Sequence, residues 1–454
     1  MKALEDFLGE LAGMVWGLPL VFLLVGMGIF FTFSLGFVQF RAFKHALAVV
    51  AGKFDDPDDP GEISHFQALS TALSATVGLG NIAGVAVAIK LGGPGATFWM
   101  ILVGVLGMAT KFSECSLALM FRRVDERGVV RGGPMYYIEM GLGKSWKPLA
   151  MFFAFAVVCG SFGAANMFQT NQVASILESN FGVNKLATGL VLAVLTGIVI
   201  IGGIKRIGQV TSKLVPIMGG LYVLGALVVI FSNMSEVPSL FALIMKSAFS
   251  GTAAVGGFAG VVVAEVMKQG VRRACFSNEA GLGSAPIAHA AACTNEPVRE
   301  GVVAILGPFI DTVLICTMTA LVILLSGAWQ GDATGVVLTA QAFDSAIPGF
   351  GAYFVPIAVA LFAYSTLLSW SYYGEQAMSY LFGEDSILAY KIVFCALAVV
   401  GAVWTIGPVL AFSDIMLGLM AVPNFIALAF LFPKLKKESI SYFKRLDNGE
   451  FKIK

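Results

Sequence analysis

Long apolar runs are the feature of this sequence that most restricts its fold. The runs at 18–40 and 215–231 are close to the roughly 20 residues that cross a bilayer as a helix. Only 13% of the 454 residues are charged, about half of the roughly 25% that soluble domains carry. Lipid offers no partners to backbone N–H and C=O groups, so a spanning chain is helical or forms a closed barrel. The runs lack the period-two alternation of barrel strands, and the sequence therefore predicts an all-α polytopic membrane protein.

The basic residues between the runs predict how the chain crosses the membrane. One side carries nearly all of them, and the positive-inside rule makes that side the cytoplasm. We therefore expect a multi-pass protein of the cell membrane, with its N-terminus outside and its C-terminus in the cytoplasm. The cytoplasmic set is Arg41, Lys44, Lys53, Arg122, Arg123, Arg127, Arg131, Lys205, Arg206, Lys213, Lys434, Lys436, Lys437, Lys444 and Arg445. The eleven predicted spans lie near 15–40, 66–90, 95–121, 148–178, 186–203, 213–232, a broken span at 260–294, 300–327, 351–381, 389–406 and 408–432.

Three basic residues do not fit this alternation. Lys268, Arg272 and Arg273 fall toward the outer side of the broken span. Either they line a water-filled vestibule, or an extra span at 253–266 reverses the local topology. We favour the vestibule.

Cysteines, histidines and net charge indicate no metal site and no nucleic-acid partner. Five of the six cysteines lie within apolar runs and Cys275 lies beside one, so we interpret them as packing residues. His65 and His289 lie near span ends without metal-ligand spacing and are interpreted as ordinary polar residues. The net charge is +1, and no basic run long enough to bind nucleic acid precedes the C-terminal tail. The first eleven residues are acidic rather than basic, which favours a retained span over a signal peptide.

An internal repeat relates the two halves of the chain. The segments 74–81 (SATVGLGN) and 277–284 (SNEAGLGS) are similar and lie 203 residues apart. The same offset relates Pro94 to Pro297, and the spans 148–178 and 186–203 to 351–381 and 389–406. Each half has five spans, an odd number, so the second half enters the membrane inverted, as in inverted-repeat transporters. The predicted units are an extra N-terminal helix with a cytoplasmic linker (1–65), the first repeat (66–235), a connecting segment (236–268), the inverted second repeat (269–435) and a basic cytoplasmic tail (436–454).

The two Gly-Leu-Gly segments predict breaks in their helices. Glycine inside a helix costs about 1 kcal/mol relative to alanine, and a broken helix leaves N–H groups unpaired on one side and C=O groups on the other. The N–H end attracts anions and the C=O end attracts cations. Two facing breaks therefore suit a zwitterion, with carbonyl groups left over for a hard monovalent cation.

Polar residues elsewhere in the spans favour a buried polar site. Asn166 and Gln169 are three apart and share a helical face. Ser365, Thr366 and Ser369 occupy the repeat-related region. Lys111 and Glu114 are also three apart, and we interpret them as a structural ion pair. An ionisable residue at midspan is a functional candidate by default, which applies to Asp311.

Two longer motifs resemble those of the alanine or glycine:cation symporter family. The segment 276–290 (FSNEAGLGSAPIAHA) matches the family pattern closely, and 92–100 (GGPGATFWM) matches with departures at Thr97 and at the following Ile101. The segment 77–81 (VGLGN) is also similar to the first broken helix of the sodium-coupled leucine transporter, LeuT. The resemblance implies a LeuT-like five-plus-five inverted repeat with one extra N-terminal helix. It also implies sodium-coupled uptake of alanine or glycine by alternating access, with sodium as the co-transported ion.

The resemblance also implies a set of site residues. The substrate carboxylate meets N–H groups of Gly78, Leu79 and Gly80, and its ammonium meets carbonyl groups of Cys275, Phe276 and Ser277. Thr76, Asn166, Gln169 and Ser369 complete the predicted substrate site, with Phe168, Phe276 and Trp370 limiting its size. The sodium ligands are expected from Ser74, Val77, Phe362, Ser365 and Thr366. A second cation site would use Asn81 and Asp311, with Thr76. Sodium binding is expected to order the first broken helix and so raise amino-acid affinity by about 1–3 kcal/mol.

Two other classes of function remain open. The nearest alternative is a LeuT-like cation symporter for another small substrate, such as a nucleobase or a larger amino acid. An ion channel is a more distant one, because channels are commonly assembled from several subunits around a pore. A membrane enzyme is disfavoured, because no catalytic cluster of Asp, His, Ser or Cys is visible. The sequence predicts neither a preference between alanine and glycine nor an oligomeric state.

Overall fold

The computed structural model describes residues 2–56, 58–124, 126, 128–250, 263–404 and 407–451. The α-helices and shorter helical turns within this part of the chain are Lys2–Val15, Leu18–Ser34, Val38–Arg41, Phe43–Val50, His65–Thr76, Gly80–Gly84 (π), Val85–Gly92, Ala96–Met120, Pro134–Tyr136, Tyr137–Gly141 (π), Lys144–Trp146 (3₁₀), Lys147–Phe162, Gly163–Met167 (π), Phe168–Phe181, Lys185–Ile200, Gly203–Ser232, Val237–Ser250, Val263–Asn278, Ala285–His289, Pro297–Ala304, Leu306–Pro308, Phe309–Cys316 (π), Thr317–Ser326, Ala328–Gln330 (3₁₀), Gly335–Ala346, Phe350–Phe382, Ser386–Val403 and Gly407–Asp447. Two short strands, Arg123–Val124 and Val130–Arg131, form an antiparallel pair.

The predicted spans correspond to these helices. In the described part of the chain, eight helices are long and apolar enough to cross a membrane, and one bent pair adds a ninth. The 16-residue helix Lys185–Ile200 and the two-part helix around the second break account for the other two predicted spans. The total of eleven therefore stays a prediction. The alternative span at 253–266 falls mostly outside the described residues.

Two helices are interrupted where the sequence predicts breaks. The first broken helix comprises His65–Thr76 and Gly80–Gly92, which are bent by 51° relative to each other. Its first part starts at a capping box, in which Ser64 accepts from Gln67 N and Gln67 accepts from Ser64 N. The second broken helix comprises Val263–Asn278 and Ala285–His289.

Helices related by the repeat pack against each other. Lys185–Ile200 lies against Ser386–Val403, and the helices of 147–181 lie against Phe350–Phe382. Each pair is related by the offset of 203 residues, as expected when a two-fold axis passes between the halves. The extra N-terminal helix Leu18–Ser34 packs on Ala96–Met120 and also contacts the second broken helix.

Candidate functional site

At the first break, the carbonyl group of Ser74 loses its helical donor, and the N–H group of Gly78 donates to a side chain instead. In an uninterrupted helix, Gly78 N would donate to Ser74 O. Here Gly78 N donates instead to Asn81 Oδ1 at 2.8 Å. The N–H groups of Leu79 and Gly80 stand at the start of the next helical part, where no intrahelical acceptor precedes them. The predicted contact of Gly78 N with substrate stays a prediction; in this conformation a neighbouring side chain already accepts from that group.

The second break frees two carbonyl groups. Glu279 N donates to Cys275 O at 2.9 Å, so the last helical bond is formed there. The next two N–H groups, of Ala280 and Gly281, donate to Asn278 Oδ1 and Glu114 Oε1 rather than to Phe276 O and Ser277 O. The carbonyl groups of Phe276 and Ser277 are therefore without helical donors, whereas the predicted carbonyl of Cys275 is already bonded.

The turn of the second break requires left-handed backbone. Glu279 has φ of +56°, and Gly281 and Gly283 have φ of +91° and +81°. A Cβ atom on Gly283 would lie 2.8 Å from Pro134 Cγ, so a larger residue would not fit there even with a relaxed backbone. These glycines therefore allow both the turn and its close packing.

Asp311 joins the two breaks. Its Oδ1 accepts from Asn81 Nδ2 at 2.7 Å and from Ser277 Oγ at 3.2 Å, and its Oδ2 accepts from Thr312 Oγ1 at 2.6 Å. The breaks also touch directly, because a Cβ atom on Gly80 would lie 3.1 Å from Ser277 Cα. The midspan carboxylate is fully buried and links one half of the repeat to the other.

A small cavity lies between the breaks, and we call it the central cavity. Its volume is about 30 Å³, far below the roughly 300–1,000 Å³ found for small-molecule sites, so the cavity is nearly closed in this conformation. Seven predicted substrate residues line it, namely Thr76, Gly78, Leu79, Gly80, Gln169, Phe276 and Trp370, together with the predicted sodium ligand Thr366. The residues that sequence reasoning missed are Ala75, Ala164, Ala165, Glu279, Leu282 and Leu417.

Glu279 is the most important of the lining residues that the sequence analysis missed. It is 5% exposed and places a carboxylate at the central cavity. Trp370 Nε1 donates to its Oε1 at 2.9 Å, and Ser284 Oγ donates to its Oε2. The sequence contained a signal for this residue, because Glu279 is an acidic residue within the second break motif, 277–284.

Five predicted substrate residues do not line the central cavity. Asn166 donates to Phe394 O on a neighbouring helix at 2.7 Å, because the π turn at Gly163–Met167 rotates it away from the face of Gln169. Phe168 lines a second cavity instead. The other three, Cys275, Ser277 and Ser369, are buried outside the lining.

Most of the predicted sodium ligands lie together beside the first break. Ser74 Oγ donates to Ser365 O at 2.6 Å, and Ser365 Oγ lies 3.2 Å from Ser74 O. Thr366 Oγ1 donates to Phe362 O at 3.0 Å and faces Gly78, whose added Cβ would lie 2.7 Å away. These hydroxyl and carbonyl oxygens are the kind of ligands that a hard cation takes.

The expected ion pair between Lys111 and Glu114 does not form. Glu114 Oε1 instead accepts from Gly281 N, Gly283 N and Asn424 Nδ2, at 3.1, 3.2 and 2.5 Å. The N–H groups released at the second break attract the carboxylate more directly than its helical neighbour does. Lys111 Nζ is buried and has no hydrogen-bond partner within the described residues.

The second cavity lies on the other side of Leu79 and Phe276, and we call it the vestibule. Its volume is about 380 Å³, and its lining is Leu79, Ala83, Gly84, Val87, Phe168, Gln172, Arg273, Phe276, Thr334, Gly335, Val336, Val337, Leu410 and Asp414. Of the three basic residues that did not fit the charge alternation, only Arg273 is in this lining. Lys268 pairs with Glu265 at 2.8 Å, and Arg272 pairs with Asp414 at 3.4 Å.

His65 and His289 are not ordinary polar residues. Both are buried, and their Nδ1 atoms contact the two carboxylate oxygens of Glu300, at 2.5 Å for His289. His65 begins the first broken helix and His289 ends the short helix after the second break. The cluster therefore ties the two broken helices together at a distance from the central cavity.

Comparison with known proteins decides the family. A family model described as the sodium:alanine symporter family matches residues 1–453. The chain belongs to the sodium:alanine symporter family. Membership confirms a transporter rather than an enzyme, and a multi-pass membrane protein.

Relatives in the family are similar along nearly their whole length. The sodium/alanine symporter AgcS of Methanococcus maripaludis is 47% identical over 92% of this chain and 92% of its own. The probable sodium/glutamine symporter GlnT of Bacillus subtilis is 39% identical over 98% of this chain and 91% of its own. Sodium-coupled amino-acid symport, the predicted class of function, is confirmed by this family membership.

A solved structure establishes the fold. The crystal structure of MhsT in complex with L-phenylalanine matches with a TM-score of 0.57 at 14% identity, over 80% of this chain and 89% of that one. This likeness confirms the predicted LeuT-like fold class.

Proposed function

We propose that this symporter takes up small neutral amino acids, alanine and glycine, together with sodium by alternating access. One observation carries the proposal: backbone groups of opposite polarity, freed at two breaks, face one small cavity in a chain of this family. The orientation that we propose has the N-terminus outside and the C-terminus in the cytoplasm. The unit boundaries at 65, 235, 268 and 435 belong to the same proposal.

The substrate lies between the two breaks with its charges separated. Its carboxylate accepts from the N–H groups of Leu79 and Gly80, where the helix N-terminus favours an anion. Its ammonium meets the carbonyl group of Phe276 and the carboxylate of Glu279, the two residues of the second break that line the cavity with an available acceptor. We leave out Gly78 N because its hydrogen is already donated to Asn81 Oδ1, and Cys275 because it does not line the central cavity.

Sodium binds beside the substrate. The ligands are Ser74 O, Val77 O, Phe362 O, Ser365 Oγ and Thr366 Oγ1, which join the first broken helix to Phe350–Phe382. A second cation site uses Asn81 and Asp311, with Thr76. Thr366 supports coupling between sodium binding and substrate binding, because it is a proposed sodium ligand that lines the central cavity and also faces Gly78.

The size of the cavity supports a small substrate over a larger one. Trp370, Phe276 and Leu417 occupy much of the wall, and the remaining space is small. A relative at 39% identity is named a probable sodium/glutamine symporter, so a larger amino acid is the second candidate. A larger amino acid would need smaller side chains in the cavity wall. In this chain the wall has Trp370, Phe276 and Leu417, which favour a small substrate.

Uptake by purified protein in proteoliposomes tests the proposal. We expect labelled alanine to accumulate against its gradient with sodium outside and not with potassium, and glycine to compete better than glutamine or leucine. D-Alanine in the same panel measures stereoselectivity. Equal uptake in potassium would contradict symport, and stronger competition by glutamine would contradict the small substrate.

Glu279→Gln tests the ammonium contact. Glutamine keeps an acceptor for Trp370 Nε1 but removes the charge. Hydrogen bonds to charged groups contribute about 1.5–3 kcal/mol, so the half-saturating alanine concentration should rise about 10- to 150-fold. Glu265→Gln is the matched control on the same broken helix, because Glu265 pairs with Lys268 and does not line the cavity. An unchanged half-saturation in Glu279→Gln would remove Glu279 from the site.

A further inference from the structure

The vestibule contains one positive and one negative group, each with an open hydrogen-bonding atom. Arg273 and Asp414 are the charged residues of its lining within the described part of the chain. Arg273 Nε and Asp414 Oδ1 are buried atoms without hydrogen-bond partners there. A cavity that presents an open N–H group of a cation and an open carboxylate oxygen is complementary to a ligand with both charges.

Arg273 differs from the two other basic residues on its helix. Lys268 is paired with Glu265, and Arg272 with Asp414. Among the residues that the structure describes, nothing accepts a hydrogen bond from Arg273. A buried N–H group without an acceptor is costly, and a carboxylate offered to the planar guanidinium would supply acceptors through two parallel hydrogen bonds.

Asp414 is open on one side only. Its Oδ2 accepts from Arg272 NH2 at 3.4 Å, which holds the carboxylate in place, while its Oδ1 has no donor. Trp16, which follows the helix Lys2–Val15, also contacts Asp414: its Nε1 donates to Asp414 O at 2.9 Å. The carboxylate is thus positioned and retains the capacity to accept from an ammonium group.

The vestibule adjoins the central cavity. Leu79 and Phe276 line both cavities, so these two side chains form the partition between them. Much of the remaining vestibule wall is apolar, including Val87, Val336 and Leu410. A molecule that leaves the vestibule past Phe276 enters the central cavity directly.

We propose that the vestibule is a second binding site for zwitterionic amino acids, in which Arg273 binds the carboxylate and Asp414 the ammonium group. The proposal rests on the proposed function for the nature of the ligand. The site is weaker than the central one, because a small amino acid fills little of its larger volume. It holds the substrate on the outer side before Leu79 and Phe276 move and admit it to the central cavity.

Protection of an introduced cysteine tests this site with the central cavity blocked. Val337 lines the vestibule and is 59% exposed, so Val337→Cys should react with a membrane-impermeant methanethiosulfonate reagent. Gly80→Leu blocks the central cavity, and Ala165→Phe fills it from the other wall should the first variant fail to fold. Protein with Val337 intact provides the background labelling of the six native cysteines.

We expect alanine to slow the labelling of Val337→Cys in the blocked protein. Alanine amide lacks the carboxylate and propionate lacks the ammonium group, so neither should protect at the same concentration. Arg273→Gln and Asp414→Asn should each abolish protection. Lys268→Gln removes a basic residue of the same helix that does not line the vestibule, and it should leave protection intact.

Each other outcome overturns the proposal. Protection by propionate equal to that by alanine would indicate a simple anion site, and no protection by any of the three would exclude a site. Protection that survives Arg273→Gln would place the ligand elsewhere. The proposed function fails separately, through loss of sodium-driven uptake in unblocked protein, a measurement that does not use this labelling.

Discussion

Replacing Thr366 by valine separates a sodium ligand from a packing residue. Valine has nearly the same shape as threonine, and Thr366 is 3% exposed, so the substitution opens no cavity. The hydroxyl donates only to Phe362 O, which also accepts from the backbone of the next turn. The fold should therefore lose no more than the net value of one hydrogen bond, about 0.5–1.5 kcal/mol.

The effect on sodium should be larger than the effect on the fold. Thr366 Oγ1 is one of five proposed oxygen ligands, and interactions with a charged group contribute about 1.5–3 kcal/mol each. The sodium concentration for half-maximal alanine uptake should then rise about 10- to 150-fold, because each 1.4 kcal/mol is a factor of ten. Thr366→Ser keeps the oxygen and is the matched control, with an expected change within about threefold, or about 0.6 kcal/mol.

Measuring alanine binding at several sodium concentrations distinguishes the two roles that the position of Thr366 allows. Thr366 also lines the central cavity, so a direct contact with substrate would weaken alanine binding at every sodium concentration. A sodium ligand weakens it only where sodium is not saturating, because the two sites are linked. Unchanged sodium dependence in Thr366→Val, or equal changes in the valine and serine variants, would refute the reasoning.

Two further predictions concern the second break. Glu114→Ala leaves the N–H groups of Gly281 and Gly283 buried without an acceptor, at about 1–3 kcal/mol each, so the purified protein should melt well below Glu114→Gln, which retains an acceptor. Equal melting temperatures would show that Glu114 does not support the break. Gly281→Ala should destabilise by at least about 1–2 kcal/mol, because its φ is +91° and the new Cβ would lie 2.6 Å from Phe425 Cζ. Gly307→Ala, whose Cβ would have nothing within 4 Å, is the control and should melt no lower than the parent protein.

The sequence predicted the spans well because hydrophobicity and length decide them. Each predicted span corresponds to a helix or a helix pair. Many ends differ by only a few residues, as for 389–406 and Ser386–Val403, but Gly203–Ser232 begins well before the predicted 213–232. The helices Val237–Ser250 and Gly335–Ala346 were missed, because each is short and lies in a connecting segment. The last helix continues to Asp447, well into the predicted tail. The charged residues after 432 do not end this helix, because it continues to pack on other helices through buried residues such as Leu435 and Tyr442.

The breaks were predictable, but several of the side chains around them were not. Glycine pairs at a fixed offset identify where the helices break, and the structure breaks both there. The shared face assigned to Asn166 and Gln169 then failed, because a π turn at Gly163–Met167 adds a residue to the helix beside the site; π turns also lie at Gly80–Gly84 and Phe309–Cys316. Each π turn changes which side chains share a face, as the separation of Asn166 from Gln169 shows. Small lining residues such as Ala164 carry no signal in a sequence.

The repeat explains the shape of the site, and its divergence explains the polarity. The offset of 203 residues places Thr76 and Glu279 at equivalent positions, and both line the central cavity. A symmetric pair of side chains would present the same charge from both halves and would not orient a zwitterion. With a hydroxyl in one half and a carboxylate in the other, the ammonium end of the proposed substrate is assigned to the second break. The helix N-terminus at Leu79 and Gly80 is then left for the carboxylate. Orientation of the substrate thus depends on where the two halves differ, whereas the cavity itself depends on where they agree.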